Sequence, residues 1–181
     1  RRKIGLLSAP EERLGHAAAP AMSLRENTVI TAAERKSLLK NGFIDWTAAD
    51  QYTQDIIADF DVRTPGTHTP AGSLSGGNLQ KFVVGREVLQ NPKVFVVNQP
   101  TWGVDAAAAA SIRQKLLDLA DNGAGVIVIS QDLDELLEIS DRFCAINEGR
   151  LSKIVPTATL EMDQIGLMMG GATADQEGAH A

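Results

Sequence analysis

The stretch Ser73-Leu74-Ser75-Gly76-Gly77-Asn78-Leu79-Gln80-Lys81 is where the residue types of this chain could do chemistry. Ser75 stands where a helix N-cap belongs. Behind it, the spacing of Leu79, Phe82, Val83 and Leu89 predicts a helix, with Arg86 as its one polar break. Gly76 and Gly77 leave the first turn bare of side chains. Such a helix start offers backbone N–H groups without intrahelical partners, a hydroxyl, and the positive end of a dipole. Together these suit an anion, and phosphate is the usual occupant. The same residues also make an ordinary capped surface helix after a Ser/Gly loop, so the motif needs support from its surroundings.

The elements that must position it follow from periodicity and turn chemistry. Residues 4–8 read as a short strand, followed by a polar loop through Pro20. Ser23-Leu24-Arg25-Glu26 is a capping box that opens a helix toward Ile30. A second helical stretch is expected over 32–39, ending before Asn41-Gly42. A longer helix is expected over 47–60, with Thr47 and Asp50 as its capping pattern. Ala49, Tyr52, Ile56 and Phe60 share its inner face, and Trp46 with Tyr52 is assigned to the local core. Residues 61–72, rich in Thr, Pro and Gly, read as a linker.

After the glycine-containing helix, residues 94–98 are apolar at nearly every position, the mark of a parallel strand buried on both faces. Asp105 caps a helix over 106–121, whose alanine run favours helix. Gly123 and Gly125 turn the chain into a strand over 126–130. A short helix over 132–139, strands over 143–147 and 151–155, and an amphipathic helix over 159–169 complete the pattern. Residues 170–181 read as a flexible tail. Alternating strands and helices predict an α/β fold around a mostly parallel sheet.

The order of these segments resembles the ATP-binding-cassette (ABC) ATPases. A Leu-Ser-Gly-Gly signature helix leads to an apolar strand ending in Asn98-Gln99-Pro100-Thr101, then to Gly103-Val104-Asp105, then to Val128-Ile129-Ser130-Gln131-Asp132. The Asn78-Leu79-Gln80-Lys81 ending looks most like cassettes of bacterial importers for simple sugars and nucleosides. Ala9-Pro10-Glu11-Glu12-Arg13-Leu14-Gly15-His16 resembles the Q-loop region of that group. The resemblance covers roughly residues 4–155. It implies a P-loop NTPase-like sheet with a helical subdomain. It divides the chain into a Q-loop region (1–20), helical subdomain and linker (21–72), the signature, Walker B, D-loop and switch part of the ATPase core (73–169), and the tail (170–181). No G-x-x-x-x-G-K-[ST] phosphate loop occurs, so the chain is expected to be the later part of the second cassette of a longer protein.

The resemblance also implies roles for single residues. Ser75, Gly76, Gly77 and Asn78 are the signature, expected to face ATP held by a partner cassette. Asp105 matches the D-loop aspartate, and Glu11 takes the Q-loop position. Walker B strands normally end in two carboxylates, one holding Mg²⁺ and one acting on the attacking water. Here Asn98 and Gln99 take those places, and Gln131 stands where a switch histidine is usual. Neutral amides lack the charge that favours a divalent cation, and Gln99 cannot act as a base. The chain's own hydrolytic centre is therefore expected to be degenerate, with no metal site of its own and no activity in isolation. ATP and Mg²⁺ are the cofactors of the full dimer. Expected partners are a second cassette, membrane permease subunits and, indirectly, a solute-binding protein, at the cytoplasmic face of the bacterial inner membrane. Trp102 is left either exposed at the dimer seam or packed under the helix.

Composition narrows the alternatives. The chain has 181 residues, 44% of them hydrophobic, and a net charge of −6, which disfavours a nucleic-acid or anionic-membrane surface. Cys144 is alone, so no internal disulfide forms, and it reads as a core residue. His16, His68 and His180 lack ligand spacing. Two other readings remain open. One is a non-transport cassette ATPase of DNA repair or ribosomes, although coiled-coil arms and basic patches are missing. The other is a cassette that has become a catalytically dead interaction module.

Overall fold

Strand β1 (Leu6–Ala9) follows a 3-10 turn over Arg2–Ile4, so the expected first strand starts two residues later than its apolar run suggested. It pairs in parallel with β4 (Val94–Asn98), which pairs in parallel with β5 (Gly125–Ile129). The sheet order β1-β4-β5 puts the strand that ends in Asn98 at its centre. Helices flank this parallel sheet, as the α/β pattern predicts. The structure is a computed structural model that describes residues 1–171. The expected tail over 170–181 therefore falls largely outside the described residues.

The sheet has one packed face. Leu7 and Ala9 line up in register with Phe95 and Val97, and all four are buried. The other face carries Val94, Ile127 and Ile129, which remain 38%, 54% and 47% exposed. The expectation that residues 94–98 are buried on both faces is therefore corrected. The strand is apolar throughout, but within the described residues only one side is covered.

Four helices belong to the same unit, Arg1–Gln131. The first, α1 (Leu24–Ala32), starts from the predicted capping box: the Glu26 N–H donates to Ser23 Oγ while Glu26 accepts from the Ser23 N–H at 2.7 Å. The hydroxyl and N–H of Ser23 hold the Glu26 carboxyl below its usual range. The expected helix over 32–39 is instead a run of turns followed by a hairpin, β2 (Leu39–Lys40) and β3 (Phe43–Ile44). Asn41 (φ 53) and Gly42 (φ 84) form its two-residue tip. Asn-Gly is the strongest short hairpin signal, and it outweighed the helical spacing before it.

Next, α2 (Trp46–Asp59) is capped by Asp45, whose carboxylate accepts from the Ala48 N–H at 3.1 Å, and not by Thr47. Asp50 instead accepts from Thr67 Oγ1 at 2.7 Å and Arg25 Nη1 at 3.2 Å, tying the linker to both helices. Tyr52 is buried as expected, and burial pushes its phenol pKa up. Trp46 is corrected: it is 40% exposed, with the Arg25 guanidinium 4.7 Å over its ring. Position N1 of α2 leaves the indole at the helix edge, where stacking on a cation replaces core packing.

Helix α3 (Gly76–Val88) is buried along its length from Leu79 to Val88. Its expected polar break is a buried ion pair. Arg86 Nε donates to Glu87 Oε1 at 2.9 Å, and Arg2 Nη1 reaches Glu87 Oε2 at 2.7 Å. Arg86 also donates to the carbonyls of Asn27 (3.2 Å) and Ala17 (2.8 Å), so one side chain joins α3, α1 and the loop after β1. Helix α4 (Ala106–Asp121) buries Ile112, Leu116 and Leu119 and borders β5.

The second unit begins at Asp132. It contains α5 (Leu133–Ile139), β6 (Arg142–Phe143), β7 (Ile146–Asn147), β8 (Arg150–Leu151), β9 (Val155–Pro156) and α6 (Met162–Met169). The two expected strands over 143–147 and 151–155 are each broken in two, pairing as β6 with β9 and β7 with β8. The expected last helix is a 3-10 turn over Thr157–Thr159 followed by the shorter α6. Phe143, Ala145 and Ile165 form a small core, and Cys144 between β6 and β7 is half-buried rather than central to it.

Candidate functional site

The start of α3 is built as the sequence predicts. Ser75 is the N-cap in extended conformation (φ −61°, ψ 152°), and its Oγ accepts from the Asn78 N–H at 3.4 Å and from Asn78 Nδ2 at 2.9 Å. The Asn78 side chain uses its other end to accept from the Arg63 N–H at 2.9 Å. Asn78 is thus fixed between the linker and the cap. Helix geometry leaves the N–H groups of Gly76 and Gly77 without intrahelical acceptors, on two positions without side chains. Ser75 and Gly76 are exposed.

Neither glycine serves a left-handed backbone; Gly77 is needed for closeness to backbone, and Gly76 approaches only the movable end of a side chain. A Cβ on Gly77 would lie 2.7 Å from the Gly103 carbonyl oxygen, and one on Gly76 would lie 2.7 Å from Arg13 Nη1. The helix start is therefore wedged against the turn that follows β4. In that turn Gln99 adopts φ 51°, Trp102 donates its N–H to the Gln99 carbonyl at 3.2 Å, and Gly103 takes φ 70°. Trp102 is 53% exposed, which settles its two expected placements against burial under the helix. Asp105 closes the turn and caps α4, accepting from the Ala108 N–H at 2.9 Å. That bond holds its carboxyl below the ordinary aspartate value.

The end of β4 is of another kind. Asn98 Nδ2 lies 3.5 Å from Glu11 Oε2, so the structure brings together the residues expected at the Q-loop and Walker B positions. Gln99 is buried, its N–H donating to the Ile129 carbonyl at 2.7 Å and its Oε1 accepting from Ser130 Oγ at 3.5 Å. Gln131 follows Ser130 past the end of β5 and is exposed. Among the described residues, no group of three or more His, Cys, Asp or Glu is placed to hold a metal ion. The donor set here, two amides and one carboxylate that already faces an amide N–H, fits a divalent cation poorly. The start of α3 fits a phosphate group well, since its N–H groups, bare turn and positive dipole end need no rearrangement.

Two residues outside the expected site shape it. Gln80, buried inside α3, donates from Nε2 to the carbonyls of Gln99 (3.0 Å) and Pro100 (2.9 Å). Arg13 donates from Nη2 to the Trp102 carbonyl at 3.1 Å. Gln80 had a signal: a polar side chain in the inner run of an otherwise apolar helix needs a buried partner. Arg13 had none beyond its place in the loop after β1.

No family model matches the chain. Individual proteins do. The nucleoside import ATP-binding protein NupA of Lactococcus lactis is 35% identical over 167 residues, covering 92% of this chain and 33% of the relative. The guanosine import ATP-binding protein NupO of Bacillus subtilis is 33% identical over 175 residues, covering 96% and 34%. The galactose/methyl galactoside import ATP-binding protein MglA of Escherichia coli is 40% identical over 126 residues, covering 70% and 25%. The chain thus spans about a third of the length of the first two of these curated relatives. Among solved structures, a dimeric post-hydrolysis state of the ATP-binding cassette MJ0796 bound to ADP and Pi superposes with a TM-score of 0.71 at 16% identity, over 86% of this chain and 64% of that one. An ATP-binding subunit of an ABC transporter superposes with a TM-score of 0.69 at 18% identity, over 96% and 67%.

The fold is that of an ATP-binding cassette. The chain's homologues are the ATP-binding proteins of sugar and nucleoside import, and it matches their C-terminal part.

Proposed function

We propose that this chain is the later part of the second cassette of a two-cassette importer ATPase for simple sugars or nucleosides. Its signature, Ser75 to Asn78, acts on ATP bound by the partner cassette, while its own centre at Asn98, Gln99 and Gln131 does not hydrolyse. The observation that carries this reading is the contrast inside one turn: an open, positively polarised helix start beside a strand end made of neutral amides with partners. The relatives' printed roles in nucleoside, guanosine and galactoside import support the transport class. The dimeric neighbour bound to ADP and Pi supports nucleotide and a second cassette as ligand and partner. The uncovered apolar sheet face of Val94, Ile127 and Ile129 supports a cassette with more chain to pack there.

In this role the signature stabilises charge on the terminal phosphate with fixed N–H groups and dipole, which requires no motion at the moment of reaction. Asp105 lies across the seam, and Glu11 links the loop after β1 to the end of β4. Mg²⁺, if bound with ATP by the partner cassette, would supply neutralisation of phosphate charge, and none of the described residues of this chain is assigned to hold it. The segment 21–72 is the helical lobe that meets the permease, at the cytoplasmic face of the inner membrane. Among the described residues, no helix is long and apolar enough to cross a membrane.

The test is phosphate release. The 181-residue chain with Mg-ATP should show no turnover above background, whereas the full reading frame with its permease should show solute-stimulated turnover. Magnesium-dependent hydrolysis by the chain alone, surviving repurification, would refute the degenerate-centre reading.

A further inference from the structure

We propose that Arg13 is a positioning residue for the signature corner: its guanidinium is the outer strut that sets the spacing between the start of α3 and the turn after β4. This rests on the function proposed above only for its catalytic consequence. One exposed hydrogen bond and two close approaches to glycine meet at the one group. Nη2 donates to the Trp102 carbonyl at 3.1 Å, Nη1 occupies the place a Gly76 side chain would take, 2.7 Å from that Cβ position, and Nη2 lies 3.4 Å from the equivalent position on Gly103. Gly76 therefore leaves room for the planar fork, while a side chain at Gly103 would only touch it and the glycine there serves the φ of 70°.

The loop that carries Arg13 is itself held. The Arg13 carbonyl accepts from the Ala18 N–H at 2.7 Å, the Gly15 N–H donates to the Ala18 carbonyl at 2.8 Å, and the Ala17 N–H donates to the Glu12 carbonyl at 3.2 Å. Two residues earlier, Glu11 faces Asn98. From the inside, Gln80 fastens the same turn through the carbonyls of Gln99 and Pro100. The corner is thus clamped between a buried amide and an outer guanidinium, and the N–H groups of Gly76 and Gly77 are aimed by that clamp.

The placement is electrostatically one-sided. A cation at a helix N-terminus adds to the positive end of the dipole instead of offsetting it, which disfavours the arrangement in the absence of an anion. It favours an approaching phosphate for the same reason. Lysine would keep the charge but not the planar fork that spans Trp102, Gly103 and Gly76 at once.

The experiment has two readouts. In the 181-residue chain, Arg13→Lys and Arg13→Ala should each speed hydrogen exchange at the Trp102 and Val104 amides by about tenfold, with the core amides of β4 unchanged. In the full two-cassette protein, both variants should lower kcat about tenfold while KM for ATP moves less than about twofold. Unchanged exchange in both variants would overturn the strut. Full rescue of turnover by Arg13→Lys would overturn it too, leaving charge alone as the contribution. If exchange responds but neither Arg13 nor signature variants alter turnover, the positioning stands and the proposed function falls.

Discussion

The start of α3 and the end of β4 face each other across one turn, and they are built on opposite plans. At the helix start, glycine keeps side chains away, the cap serine and Asn78 hold each other, and the first N–H groups remain available by helix geometry. At the strand end, Gln99 is buried with its backbone and side chain engaged, and Asn98 faces Glu11. One end keeps the unpartnered N–H groups and the positive dipole end of a helix start. The other is a strand end of neutral amides that already have partners. The difference teaches that shape and charge can be set separately, because the packing that holds the turn passes through Gln80 and the glycines and needs no charged group at the strand end.

The largest effect should come from the interior of α3, which neither site touches. Glu87 is fully buried and receives Arg86, Arg2 and Gln90. Glu87→Ala leaves the Arg86 guanidinium uncompensated in the core, at an expected loss of about 3–5 kcal/mol in urea unfolding. Ser75→Ala, at the exposed start of the same helix, should lose only about 1 kcal/mol. Equal losses would mean that the helix start is part of the folding core, and the contrast drawn above would weaken.

Next comes the helix start itself. In the two-cassette protein, Gly77→Asp should lower turnover on the order of 10²–10³-fold, the scale of one lost preorganised donor site. Because any Cβ here meets the Gly103 carbonyl, Gly77→Ala tests shape without charge. A much milder loss for alanine than for aspartate would assign the larger share to the field. Equal losses would assign it to the close approach of helix and turn.

Gln80→Leu sharpens the comparison at the joint between the two sites. It strips the side-chain donor from two buried carbonyls, Gln99 and Pro100, and should lower stability by about 1–3 kcal/mol in the same unfolding measurement. A neutral result would mean that the turn holds its shape by backbone bonds alone.

Much of this was legible in the amino-acid order, and for physical reasons. Caps and bare glycines are local, so Ser75, Asp105 and the Ser23 to Glu26 box are found where side-chain chemistry places them. The parallel pairing of β4 with β5 follows from two apolar runs separated by a helix. What was not legible depends on distant partners. Arg86 reads as a break in an apolar face until Glu87, Asn27 and Ala17 surround it. Residues 94–98 read as doubly buried because apolarity does not say whether a neighbour is there to cover it. At Asn41-Gly42 two local signals compete, and the turn pair wins over the helical spacing just before it. Arg13 belongs to a loop whose partners lie 63 and 89 residues further along the chain, at Gly76 and Trp102.

The smallest expected effect is the most telling. Asn98→Ala and Gln99→Ala should change turnover of the two-cassette protein by less than about twofold, because neither residue supplies a charge or a base to lose. Asn98→Asp probes the same point from the other side. The new carboxylate would stand where the Asn98 amide now meets Glu11 Oε2 at 3.5 Å, exchanging a favourable contact for a like-charge one. The site is exposed, so the stability lost at neutral pH should stay within about 1 kcal/mol. Its sign against pH is fixed. A like charge disfavours ionisation of the new carboxyl in the folded state, so its folded pKa rises above the unfolded value. The deficit relative to the parent protein should therefore be present above the carboxylate range and shrink as pH falls through it. Urea unfolding of both proteins at neutral and acidic pH measures this directly. A gain in turnover from Asn98→Asp, or a collapse from Gln99→Ala without unfolding, would show that the end of β4 still takes part in hydrolysis, and the two regions would then differ in degree rather than in kind.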